Sequence, residues 1–193
     1  MNGANRPTLK TTRGWVVGGA FGQGGSSDST YVIENCSSNG NISQYSGGVI
    51  GYRLNYWSSA TTIVRRCYST GDQNSTYSGG IIGWFSSNGK TNNNTNGTLI
   101  VEYCYSTGNI GARGGGIIGA KTHRSTTTET ATTIIRNCFS MPNTVGSNGG
   151  LITGQECFNV IGNFQLDNNY SVISNSAGQN YVGYNPGSGI TYS

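Results

Sequence analysis

Charge is scarce in this chain. Only eleven basic and seven acidic residues occur among 193, with a single histidine, His123. Glycoside hydrolysis and related acid–base chemistry need grouped carboxylates on one groove, and metal centres need clustered His, Cys or acidic ligands. So few ionisable residues argue against both. The net charge of +4 is mild, and no Lys/Arg cluster is interleaved with aromatics, so no nucleic-acid partner is expected. Long apolar runs are also missing, which excludes a membrane-spanning helix and predicts no membrane insertion. The first fourteen residues, MNGANRPTLKTTRG, lack the apolar segment of a signal peptide. Helix patterning is absent throughout: no window repeats apolar residues at three-four spacing, and 32 glycines would weaken any helix.

What is present is a repeated phrase. Gly47-Gly48-Val49-Ile50-Gly51 returns as Gly79-Gly80-Ile81-Ile82-Gly83 and as Gly115-Gly116-Ile117-Ile118-Gly119. A looser copy, Gly149-Gly150-Leu151-Ile152, is followed by Thr153 where the last glycine is expected. A second phrase alternates with the first. It reads Val32-Ile33-Glu34-Asn35-Cys36-Ser37-Ser38, and its later copies centre on Cys67, Cys104 and Cys138, with a degenerate fifth at Gln165 to Ser171. A fixed period of this size marks stacked units, none of which can bury its apolar face alone. Short β-branched runs bounded by Gly, Asn and Ser read as strands. The fold predicted is an all-β, right-handed parallel β-solenoid (β-helix) of about five coils with a period near 33 residues. Residues 1–13 are expected as an N-terminal arm, 14–184 as the solenoid and 185–193 as a C-terminal tail.

Aligning the copies yields columns. Glu34, Arg65, Glu102, Arg136 and Asp167 occupy one position and alternate in sign at every coil, the pattern expected of directly stacked neighbours that attract. This structural charge ladder is expected to face solvent. One residue earlier, Ile33, Val64, Val101, Ile135 and Leu166 form an apolar column assigned to the core. Cys36, Cys67, Cys104 and Cys138 form a core cysteine column, read as buried, reduced thiols rather than inter-coil disulfides. The next positions are mostly aromatic (Tyr68, Tyr105, Phe139, Tyr170) and then always serine (Ser38, Ser69, Ser106, Ser140, Ser171), which suggests a tight inward site or a corner.

Candidate chemistry is thin. Gly114 to Gly119 fits G-x-G-x-x-G but is one repeat with an extra glycine and no following helix, so it is no dinucleotide site. Gly89-Lys90-Thr91 lacks the upstream glycine of a phosphate loop, since residue 84 is Trp84. Outside the ladder, Asp28, Asp72, Glu129 and Glu156 are scattered, and His123 lies in a basic polar loop. No catalytic, cofactor or metal residues are assigned, and no enzyme is expected. Coil length varies mainly after the glycine phrase. Tyr52, Tyr56, Trp57, Trp84 and Phe85 cluster in the first two of these loops as candidate binding aromatics for a glycan or protein partner. Their alternative role is to cover the solenoid edge by packing on each other. Six Asn-x-Ser/Thr sequons, at Asn35, Asn41, Asn74, Asn93, Asn96 and Asn169, are what chance gives in so Asn-rich a chain.

The pairing of Gly-Gly-Ile-Ile-Gly with Cys67-Tyr68-Ser69-Thr70-Gly71 and Cys104-Tyr105-Ser106-Thr107-Gly108 resembles the GLUG-motif repeats of bacterial surface proteins and adhesins. The resemblance implies a β-solenoid at a cell surface or in an extracellular or particle assembly, and it carries over no catalytic residue. The function expected is a non-enzymatic structural protein that stacks end to end with copies of itself or docks in a larger assembly. A glycan- or receptor-binding adhesin is the alternative. An ice-binding protein is a lesser one, because the candidate threonines Thr70 and Thr107 are replaced by Asn39, Met141 and Val172 in the other copies.

Overall fold

The computed structural model describes residues 12–86, 97–122, 131–157, 163–171 and 190–192. Two parallel sheets run up it. One contains β1 (Thr30–Glu34), β3 (Thr61–Arg65), β5 (Thr98–Glu102), β7 (Thr132–Arg136), β9 (Asn163–Asp167) and β11 (Ile190–Tyr192), in that order. The other contains the two-residue strands β2 (Ser37–Ser38), β4 (Tyr68–Ser69), β6 (Tyr105–Ser106), β8 (Phe139–Ser140) and β10 (Tyr170–Ser171). This is a parallel β-solenoid of about four turns with a period near 32 residues. Five copies of the cysteine phrase were expected to give about five coils. The five long strands from β1 to β9 instead bound four complete turns. Residues 190–192, assigned by sequence to a tail, add the sixth strand by pairing Ile190 with Phe164 and Tyr192 with Leu166.

The glycine phrase forms a third side, joined by isolated bridges. Gly14, Gly47, Gly79, Gly115 and Gly150 stack in one column, and Val17, Ile50, Ile82, Ile118 and Thr153 in another. Two successive amides converge on one carbonyl at each level; Val49 and Ile50 both donate to Ile81 O, and Ile81 and Ile82 both donate to Ile117 O. That bend leaves no room for a side chain at the glycine before it. A Cβ on Gly79 would lie 1.8 Å from Ile82 O, and one on Gly47 would lie 2.0 Å from Ile50 O. The fourth glycine copy sits one residue later than its sequence suggests. Gly150 pairs with Gly115 and Thr153 with Ile118, so Gly154, not Thr153, holds the place of Gly119. The copy therefore keeps its closing glycine and loses an isoleucine.

Three corners link the three sides, each held by a residue with positive φ. One corner column is Asn35, Arg66, Tyr103, Asn137 and Asn168; a second is Thr12, Tyr45, Tyr77, Arg113 and Asn148; a third is Ala20, Arg53, Phe85, Lys121 and Glu156. A non-glycine residue in this region costs about 1–2 kcal/mol, so the interior must compensate. It does so with apolar columns: Ile33, Val64, Val101, Ile135 and Leu166 are all buried, together with the inward isoleucines of the glycine side. Gly48, Gly80 and Gly116 explain the serine column. Their Cβ positions lie 2.3, 2.3 and 2.0 Å from the hydroxyls of Ser69, Ser106 and Ser140, so only a small residue fits either partner.

Candidate functional site

The charge ladder stacks in the register expected, Glu34 against Arg65, Arg65 against Glu102, Glu102 against Arg136 and Arg136 against Asp167. Arg65 Nε donates to Glu34 Oε2 at 2.7 Å, while Arg136 Nε and Nη2 both reach Glu102 Oε2, at 2.8 and 2.6 Å. The ladder was expected to face solvent throughout. Glu102 departs from this: it is buried, with 9% of its surface exposed, because it lies beneath the Arg136 side chain. Its bond to Glu102 holds the Arg136 guanidinium above its usual pKa.

The cysteine column is a ladder of thiol-to-carbonyl bonds. Cys67 donates to Ile33 O, Cys104 to Val64 O and Cys138 to Val101 O, each one coil back. Asn169 takes the fifth place and keeps the chemistry, since its Nδ2 donates to Ile135 O at 2.8 Å and its Oδ1 accepts from Cys138 N at 3.0 Å. That side chain is committed, which removes Asn169 from the accessible sequons. All five cysteines are free. Contact with the Cys104 thiol, then burial, pushes Cys67 far up, and contact with the Cys138 thiol leads the rise of Cys104. Cys157 lies outside the column, donates to Gly119 O at 3.3 Å, and is pushed up to about 12 by burial. Thiolates, not thiols, are the nucleophiles. With iodoacetamide at pH 8, Cys36, the one cysteine that is not fully buried, is expected to be alkylated at least about tenfold faster than the other four. Peptide mass spectrometry before and after denaturation checks this, and equal rates at all five would contradict the column.

The loop aromatics spend their faces on each other. Tyr56 stacks on Trp57 at 4.4 Å and meets Phe85 at 5.5 Å; Phe85 stacks on Trp84 at 4.6 Å, and Trp84 meets Tyr45 at 4.9 Å. Arg53 lies 5.1 Å from the Tyr52 centroid and 4.8 Å from that of Tyr56. Tyr56 is buried and Trp57 is 36% exposed. The five residues are thus one cluster, as either role required, but it offers little open ring face.

Two outward features escaped the sequence reading as candidate surfaces. On the second sheet, Tyr68 and Tyr105 stack at 4.8 Å with rings 2° apart, which points their edges and hydroxyls outward. On the first sheet, Thr30, Thr61, Thr98 and Thr132 form a column beside a second one, Val32, Ile63, Ile100 and Ile134. Both alternate with the buried column and therefore face out. The signal was there in the spacing Thr-x-Ile/Val-x-Glu/Arg, whose first and third members point the same way.

Several acidic residues have structural partners: Asp72 Oδ1 accepts from Asn109 N at 2.9 Å, and Glu156 pairs with Lys121 at 3.5 Å. Among the described residues no group of three His, Cys, Asp or Glu side chains is placed to hold a metal. His123 and Glu129 lie outside the described residues, as do the sequons at Asn93 and Asn96. Comparison with family models, with curated proteins and with solved structures finds no match to this chain in any of the three.

Proposed function

We propose that this chain is a non-enzymatic structural β-solenoid that stacks or docks through its open ends, as a building block of a cell-surface, extracellular or particle assembly. The observation that carries the reading is the edge of β1. Thr61 N donates to Ser29 O, and Asn35 N donates to Arg65 O. The alternation of a parallel pair then turns the amides and carbonyls of Thr30, Val32 and Glu34 away from β3. Among the described residues no strand pairs with that edge, and β11 ends the same sheet at the other side. Unpaired edges are normally covered, charged or broken. Here one parallel sheet runs from β1 to β11, so a second copy could extend it in the same direction. The resemblance to GLUG-motif repeats supports the surface setting.

Negative-stain microscopy with light scattering over a concentration series tests this. Filaments or end-joined oligomers are expected, and Val32→Pro is expected to abolish them with the circular dichroism of the monomer kept, because it removes only an outward amide. A chain that remains a single particle at every concentration would overturn the proposal. The second reading, a glycan- or receptor-binding adhesin, rests on Trp57 at the exposed rim of the loop cluster. Glycan-array binding by a monomeric chain, lost in Trp57→Ala and Trp84→Ala, would favour it.

A further inference from the structure

The outer face of the first sheet breaks the usual pattern, in which the solvated side of a strand is polar. Val32 is 46% exposed, and Ile63, Ile100 and Ile134 are half-buried on the same outward column. Threonines flank this apolar stripe on one side, and the alternating charges flank it on the other. The threonine and apolar columns change at the fifth level, where Asn163 and Gln165 follow threonine and isoleucine, while Asp167 continues the charge ladder. The stripe therefore spans four strands, β1, β3, β5 and β7, with charges in the order Glu34, Arg65, Glu102, Arg136.

That order is self-complementary under one kind of symmetry. Consider a two-fold axis lying in the face along the strand direction, between β3 and β5. It reverses the order of coils and leaves each column facing its own kind. Glu34 then meets Arg136 of the second copy, and Arg65 meets its Glu102. Val32 meets Ile134, and Ile63 meets Ile100. An axis passing through a strand does the opposite; through β5 it sets Arg65 against Arg136 and Glu102 against itself. Like charges held face to face disfavour association, so alternation both permits pairing of copies and selects its register.

We propose that this face is a self-association surface, on which a second copy of the chain packs antiparallel with the two-fold axis between β3 and β5. This interface is lateral and independent of end-to-end stacking. It yields a closed pair, because a two-fold contact uses the same patch on both copies. Five residues by four strands is about 16 by 19 Å, roughly 300 Å² of footprint, against about 800 Å² per partner in a standard interface. Association is therefore weak, with half the chains paired at roughly 0.1–1 mM.

The test is sedimentation velocity of the full chain up to about 1 mM, in low and high salt, with a variant in which the whole ladder is exchanged. Glu34→Arg, Arg65→Glu, Glu102→Arg, Arg136→Glu and Asp167→Arg together preserve alternation within the chain and complementarity between identical copies. Between variant and wild type, the same axis now sets like charges together. The expected result is a dimer of each protein alone, weakened by salt, and at least tenfold fewer mixed dimers than random pairing gives when one protein carries a fluorophore. Ile100→Lys, which leaves the ladder untouched, is expected to weaken the dimer at least tenfold while circular dichroism is unchanged. Free mixing of the two proteins, an Ile100→Lys dimer of wild-type strength, or a monomer at the highest concentration would each overturn the proposal. Val32 belongs to both contacts, so the two proposals are separated by Ile100→Lys, which is away from the β1 edge and is expected to weaken the lateral dimer while end-joined filaments persist.

Discussion

Gly79→Ala is expected to prevent cooperative folding of this chain. The added Cβ would lie 1.8 Å from Ile82 O and 2.4 Å from Gly119 N. Both obstacles are backbone atoms, and both belong to the bend that joins successive coils. Ordinary overpacking of a core costs about 1–3 kcal/mol because side chains can shift. Here the shift must move two backbones, and with them the bonds from Ile81 and Ile82 to Ile117 O and from Gly119 to Ile82 O. A loss above about 4 kcal/mol follows, comparable with the whole stability of a small domain, roughly 5–15 kcal/mol. Gly80→Ala should behave similarly, and adding Ser106→Gly should not rescue it, because Gly116 O remains 1.9 Å from the new methyl group. Gly18 provides the control: nothing lies within 4 Å of its Cβ position, so Gly18→Ala should change stability by less than about 0.5 kcal/mol. Urea unfolding followed by circular dichroism separates the three. A Gly79→Ala protein that unfolds cooperatively near the wild-type urea midpoint would mean that the glycine side is not packed as described.

The same side shows where a repeat can be read from sequence and where it cannot. The register of the long strands was legible because charge labels it: only one alignment alternates Glu34, Arg65, Glu102, Arg136 and Asp167, and the strands pair in that alignment. Glycine carries no such label. Gly149-Gly150 looks like the start of a copy, yet Gly150 alone takes the place of Gly115, because the fixed feature is the distance to the bend rather than the pair of letters. The corners were legible only in part. Asn35, Asn137, Asn148 and Asn168 carry a turn signal, but Arg66, Tyr103, Phe85, Lys121 and Glu156 adopt the same left-handed backbone without one. Stacking imposes the corner on whichever residue arrives there. Local preference loses to the coils above and below.

The candidate surfaces were hidden for another reason. A run such as Ile63-Val64 or Ile134-Ile135 looks uniformly apolar, and half of it was assigned to the core. The assigned half, Val64 and Ile135, is buried as expected, while Ile63 and Ile134, given no role, lie on the opposite face that strand alternation provides. The loop aromatics posed the converse problem. Their clustering in sequence was visible, but not that the rings would consume each other's faces, since that depends on the contact of Tyr56 with Phe85 across adjacent coils.

Alkali should unfold this protein through its buried thiols. An ordinary thiol ionises near 9.0, and burial pushes Cys157 to about 12, while contact with Cys138 leads a larger rise at Cys104. Below pH 9 these thiols are protonated in the folded and unfolded chain alike, and stability is at its full value. Above it the unfolded chain releases protons that the folded chain retains. Stability then falls by about 1.4 kcal/mol per pH unit for each such group until the folded thiol ionises too. Cys104 and Cys157 together should remove about 3 kcal/mol by pH 10, and Cys67, closer to the solvated end of the column, should add a smaller, screened share. Urea midpoints in the presence of reductant should therefore be level from pH 7 to about 8.5 and drop steeply beyond. Cys104→Ala with Cys157→Ala should start lower, because each leaves a gap and removes a thiol donor, to Val64 O and Gly119 O respectively. Above pH 9 its curve should nevertheless fall less steeply and approach the wild type. Parallel curves across the whole range would mean that these thiols ionise as readily inside the solenoid as outside it, and that the column is open to water. A convergence would tie the alkaline limit of the fold to its buried thiols, Cys104 within the repeating column and Cys157 outside it.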